Sequence, residues 1–208
     1  MKVARAVLTA VALIAIAQTY AVAQGKTDVP TRSGGTFSSL RAKAAEALAY
    51  CKAHGLDTGH CILVDFSIPS GRKRLFVWNF TRDTVEIASL CAHGCGRSST
   101  VYKPEFSNEP GSYCSSLGHY RTGERAYSQY GIHVHYKLYG LDRTNSNAFK
   151  RSVVLHSFGP VPETEIFPDY LPMGYSLGCT VVSNGAMRGI DALLKKKTRP
   201  VLLWIYAN

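Results

Sequence analysis

Tyr175-Ser176-Leu177-Gly178-Cys179-Thr180-Val181-Val182 is the stretch on which the reading of this chain turns. Its small-residue turn carries Cys179 into a β-branched run, the composition of a short buried strand. Upstream, Ser152-Val153-Val154-Leu155 is a second apolar run, and it ends in His156. Two strand-like segments, one closing on an imidazole and one opening on a thiol, are what a Cys–His nucleophile pair requires. The thiolate is the reactive form of cysteine, and a neighbouring imidazole generates it near neutral pH. Glycine lets a substrate approach the backbone closely, so the N–H groups of the Gly178-Cys179 turn are candidate donors to an oxyanion. The histidine precedes the cysteine, which excludes the papain-like order. On these residues alone, a buried cysteine and an unrelated histidine remain the competing reading.

Outward from this pair the chain reads as mainly β. Phe37–His54 carries Leu40, Ala44, Ala47 and Leu48 at helical spacing among many alanines, and Gly55 is a suitable C-terminal glycine. The period then changes to two. Residues 61–68, 73–80 and 84–90 are β-branched or aromatic runs separated by Pro69-Ser70-Gly71 and Thr81-Arg82-Asp83, as in consecutive antiparallel strands. Residues 91–131 are rich in glycine and serine and read as loops. Residues 132–138 alternate, 142–151 form a polar turn or short helix, and 152–156 are a strand. Residues 183–197 read as a helix starting near Ser183 or Asn184, and 200–206 as a last strand. No internal repeat appears. The expectation is one mainly β domain over residues 37–208, with an N-terminal helix at 37–54 and a short helix near the C-terminus.

The first residues bear on the compartment. Lys2 and Arg5 precede an uncharged apolar core from Val7 to Ala17, and Ala21-Val22-Ala23 resembles a small-x-small cleavage site. Residues 1–23 therefore read as a signal peptide and 24–36 as a flexible leader, with no membrane-spanning segment in the mature chain. The formal net charge of +10 suits polyanionic or carboxylate-bearing partners. Arg72-Lys73-Arg74 and Lys195-Lys196-Lys197 read as solvated turns or helix ends. No interleaving of basic and stacking aromatic residues points to nucleic acid. Six cysteines in an exported chain invite disulfides. With Cys179 reserved as nucleophile, Cys51–Cys61 and Cys91–Cys95 are the simplest short closures, leaving Cys114 free. His133-x-His135 would present two imidazoles on one strand face, with Cys91, His93 or Cys95 as further ligands. Convincing third ligands are missing, and a half-exposed strand face is the favoured reading.

The ordered series of motifs is more specific than the turn. Ser176-x-Gly178-Cys179 after a strand ending in His156 resembles the signature of the L,D-transpeptidase (YkuD-like) catalytic domain. Ala92-His93-Gly94, Phe106-Ser107-Asn108, Gly111-Ser112, Ser115-Ser116-Leu117-Gly118, Gly140-Leu141-Asp142, Asn147, Ala148 and Arg151 resemble its murein L,D-transpeptidase catalytic domain-like subfamily. This resemblance covers most of residues 60–182. It implies a β-sandwich catalytic domain acting in the periplasm on peptidoglycan stem peptides as donor and acceptor, as a monomer, without cofactor or metal. It implies that Cys179 forms a thioester and that His156 is base and then acid, oriented by the Ser157 carbonyl. Gly178 would support the oxyanion. The hydrolytic variant is an L,D-carboxypeptidase, and a wall-binding protein without catalysis is the third reading. His93, Ser115 and Ser116 match subfamily motifs, so they are candidates to line the substrate cleft together with Ser176. Both serines read equally well as hydrogen-bonding turn residues. Arg151 is suited either to a substrate carboxylate, bidentately, or to a structural ion pair. Leu177 departs from the commoner motif, which has histidine there, and Thr180 and Val181 stand where a polar Asn or Arg is common.

Overall fold

The computed structural model describes residues 34–207. The expected signal peptide at 1–23 and residues 24–33 of the expected leader lie outside the described residues. Helix α1 (Gly34–His54) contains the helix expected from the alanine-rich repeat. Leu40, Ala44, Ala47 and Cys51 recur every three or four residues and are buried, so they form the face packed on the sheet. Gly55 takes φ +67°, and the Leu56 N–H reaches back to the Cys51 carbonyl. That is a Schellman stop, and the left-handed conformation it needs favours glycine.

The three β-branched runs form β1 (His60–Asp65), β2 (Leu75–Asn79) and β3 (Thr84–Ser89), paired as an antiparallel meander. There follow β4 (Cys91–Ala92), β5 (Gly118–Tyr127), β6 (Val134–Gly140), β7 (Val154–Ser157) and β8 (Thr180–Val182). Helix α2 (Asn184–Leu194) and β9 (Leu202–Tyr206) complete the chain. Among the described residues these strands make one nine-stranded sheet in the order β3-β2-β1-β9-β5-β6-β7-β8-β4. Its two edge strands, β3 and β4, are successive pieces of one segment separated by Leu90 alone. The sheet therefore curls back on itself, and the mainly β sandwich expected from the sequence is two halves of a nearly closed sheet. Inward side chains from both halves share one core: Ile62, Val77, Leu203, Leu138, Leu155 and Val182 belong to a single apolar cluster. Met187, Ile190 and Leu194 of α2 plug that cluster, and α1 covers the outer face of β1, β2 and β9.

Three findings depart from expectation. The ten-residue β5 runs through what reads as loop. Helix α1 begins at Gly34, so residues 34–36 of the expected leader are helical; the pairs β1/β9 and β7/β8, for which the sequence carried no expectation, are parallel. All six cysteines are free thiols, so Cys51–Cys61 and Cys91–Cys95 are not bridged. Cys51 and Cys61 are side chains of the cluster under α1, whereas Cys91 belongs to the central core. Burial pushes the Cys51 thiol up to about 12 and the Cys91 thiol up to about 11. They behave as small hydrophobes.

Candidate active site

Strand β7 sits between β6 and β8, so its residues are positioned from both sides. His156 is buried, and its Nδ1 lies 3.0 Å from the Ser157 carbonyl oxygen. A carbonyl can only accept, so Nδ1 carries the proton and Nε2 is left with the lone pair. Ser157 is held in turn: its Oγ accepts from the Ile132 N–H at 3.0 Å. Burial lowers the His156 pKa below its ordinary 6.5, the Ser157 hydrogen bond partly opposes this, and nearby His135 adds to it. The imidazole is thus neutral at neutral pH. Tyr130 lies over it with ring centroids 5.6 Å apart.

The turn ahead of β8 is built by Ser176 and Gly178. Ser176 Oγ donates to the Cys179 carbonyl at 2.7 Å and accepts the Gly178 N–H at 3.0 Å. Gly178 takes φ +111°, and a Cβ there would stand 2.8 Å from the Cys114 carbonyl oxygen, so glycine is required for both space and conformation. With the Gly178 N–H committed to Ser176, the remaining donor of the Gly178-Cys179 pair is the Cys179 N–H. Cys179 is half-buried, with its thiol turned toward the Ser152 carbonyl at 3.9 Å. Burial raises its pKa, against the smaller pull of the Val154 N–H and the Arg151 charge. Burial thus favours the neutral form of both groups, the thiol of Cys179 and the imidazole of His156.

Cys179 and His156 line one cavity of about 770 Å³, bounded also by Tyr127, Tyr130, Lys137 and Phe149. His135 lines it too, standing directly across from His156 in the β6/β7 register. The other expected site residues lie elsewhere. His93 is buried, with Nδ1 2.9 Å from an Arg74 guanidinium nitrogen and Nε2 2.9 Å from the Thr100 carbonyl. Burial and the Arg74 charge lower its pKa to about 4. Ser115 Oγ accepts the Gly94 N–H at 3.0 Å, and Ser116 Oγ donates to the Ser107 carbonyl at 2.8 Å. Both serines are buried and engaged in hydrogen bonds, and Ser115 forms a β-bridge with Phe106. Arg151 forms no ion pair among the described residues. It donates to the Ser107 and Cys114 carbonyls and to the Ser112 and Ser116 hydroxyls, bracing the loop beneath Gly178. His133 takes φ +60° ahead of β6, so it and His135 do not share a strand face. The sequence reading left out Lys137, Tyr130 and Phe149. Only the alternation of 132–138 could have signalled Lys137, because its approach to Cys179 runs across two strand pairings.

Known proteins identify the family of the chain. A family model described as the L,D-transpeptidase catalytic domain matches residues 35–206. No curated protein matches the chain. Among solved structures, the helical cell shape determining protein Pgp2 from Campylobacter jejuni is similar at 9% identity and TM-score 0.46, over 72% of this chain and 48% of that one. An L,D-transpeptidase from Xylanimonas cellulosilytica is similar at 13% identity and TM-score 0.42, over 71% of this chain and 60% of that one. The chain thus spans about half to three-fifths of the length of the structures it resembles. With a family model matched across nearly all of the described residues, the chain belongs to the L,D-transpeptidase catalytic-domain family.

Proposed function

We propose that this protein is a peptidoglycan L,D-transpeptidase whose nucleophile is Cys179. The observation that carries the reading is the shared cavity of Cys179 and His156, with His156 Nδ1 tied to the Ser157 carbonyl so that Nε2 is the accepting nitrogen. As a donor stem enters, His156 Nε2 takes the thiol proton and Sγ bonds to the carbonyl carbon preceding the terminal D-alanine. The Cys179 N–H faces the developing oxyanion. The C–N bond then breaks, His156 returns its proton to the departing amine, and a thioester remains on Cys179. An acceptor amine attacks that thioester, gives its proton to His156, and Sγ leaves to recover the proton. Water in place of the amine gives the carboxypeptidase outcome from the same intermediate. The reading requires export, for which residues 1–23 supply a signal-like leader.

The test incubates the protein with a disaccharide-tetrapeptide and follows both products and intact protein mass. Expected are an acyl adduct, released D-alanine and a cross-linked dimer, all absent in Cys179→Ala. D-alanine release without dimer would identify the carboxypeptidase. No adduct on the unsubstituted protein would overturn the enzyme reading in favour of a wall-binding protein.

A further inference from the structure

We infer that Lys137 forms a carboxylate-binding subsite in the cleft, and that it holds the free α-carboxylate of the residue leaving the donor stem. The inference rests on the stem-peptide reading above. Among the cavity's lining residues Lys137 alone bears a fixed charge, the others being apolar, neutral polar, thiol or imidazole. It follows His135 by two positions on β6, so both side chains leave the same face of the sheet. In the β6/β7 register His135 stands opposite His156, and Lys137 stands opposite Val154. In the parallel β7/β8 register Leu155 stands opposite Thr180, so Val154 is aligned with Cys179 one step before. Lys137, Val154 and Cys179 therefore form a row across three neighbouring chain segments, beside the row of His135 and His156.

Strand spacing sets the scale. Two intervals of about 4.8 Å put the Lys137 Cα roughly 10 Å from the Cys179 segment. Both side chains rise from one face, and by leaning across the cleft a lysine side chain of roughly 6 Å can close that interval to about one residue's 3.8 Å. A peptide whose scissile carbonyl sits at Sγ would thus bring the α-carboxylate of the next residue to the ammonium. Phe149, also on the cavity wall, lies with its ring centroid 5.4 Å from Lys137 Nζ, which steadies the cation there. No carboxylate among the described residues forms an ion pair with it. Glu124 feels its charge, yet accepts the Tyr139 hydroxyl at 2.7 Å and is fully solvated. The cleft thus offers a cation one residue beyond the nucleophile, and a carboxylate is the complement it can hydrogen-bond.

The test is calorimetric titration of the Cys179→Ala protein, which cannot turn over. The probes are a tetrapeptide stem as free acid, the same stem as C-terminal carboxamide, and a stem amidated only on its diamino-acid side-chain carboxylate. Each is repeated with Lys137→Met and Lys137→Arg added. The expected result is about a tenfold or greater loss of affinity for the C-terminal amide. Lys137→Met erases that difference, Lys137→Arg keeps it, and side-chain amidation changes little. The subsite is overturned if Lys137→Met preserves the preference for the acid, if the preference follows the side-chain carboxylate, or if no stem binds. Acylation of the unsubstituted protein is scored separately by mass. Acylation without a Lys137-dependent preference removes the subsite and leaves the transpeptidase standing; the preference without acylation does the reverse.

Discussion

His156 owes its chemistry to its surroundings. Burial lowers its pKa, and the Ser157 carbonyl fixes which nitrogen is free. A group with a lowered pKa stays deprotonated further into acid, so the base form persists down to and below the ordinary 6.5. The rate of Cys179 acylation, followed by mass against pH, is therefore expected to fall on acidification with a midpoint below about 6.5. An acid limb centred at 7 or above would contradict His156 as the base. Ser176 and Gly178 shape the turn through hydrogen bonds and backbone conformation, whereas the Leu177 side chain between them is exposed.

At the level of elements, α2 is fixed to the sheet by polar contacts as much as by its apolar face. Ser183 caps it by accepting the Ala186 N–H, and Asp191 accepts from Arg125 Nε at 2.7 Å and Tyr136 Oη at 2.8 Å. Burial disfavours the Asp191 charge, but the hydrogen bonds from Arg125, Tyr136 and Lys195 prevail and hold its pKa at about 2. A carboxyl depressed in the folded state contributes stability above its unfolded pKa and loses it as pH falls through the folded one. Asp191→Asn is expected to lower the melting temperature at pH 7. It should also remove part of the wild-type decline between about pH 4 and pH 2; equal declines in both proteins would sink the assignment. The elements legible in the chain were those with strong periodicity: α1, the β1–β3 meander, α2, β7 and β9. Strand β5 was not, because Gly118–Tyr127 is polar, carries Gly123, and is half-exposed with a register break after Thr122. Its pairing with β6 and β9 compensates for what its composition lacks.

For the molecule as a whole, closure of the sheet is the decisive feature. Arg74, just before β2, is almost fully buried and donates through Nε to the Cys91 carbonyl in β4 at 2.7 Å and through Nη1 to the Ile68 carbonyl at 3.0 Å. Burial lowers its pKa to about 10, so it stays charged at neutral pH and ties the β2 side of the sheet to β4. Its contact with His93 extends the tie to the loop that runs on toward the Ser176 turn, where the Cys95 N–H donates to the Ser176 carbonyl at 3.1 Å. Arg74→Met leaves buried carbonyls without a donor and is expected to cost about 3 kcal/mol or more. Thermal or urea unfolding measures it, and a change within about 0.5 kcal/mol, the surface-substitution range, would show the closure does not depend on this residue.

By itself the sequence singled out Cys179 and His156 as the candidate pair. A thiol in a glycine turn and an imidazole at a strand end are local chemistry, and their motif series carries the family as well. It also determined the helices and the most apolar strands, because periodicity is written in neighbouring residues. Only the tertiary structure decided which groups surround the pair. Sheet register sets His135 against His156 and Lys137 against Val154, while burial makes His93, Ser115 and Ser116 framework and hydrogen bonds to the 107–116 loop do the same for Arg151. The physical reason is that cross-strand distance and desolvation depend on pairings between residues far apart in the chain, and no local pattern encodes them.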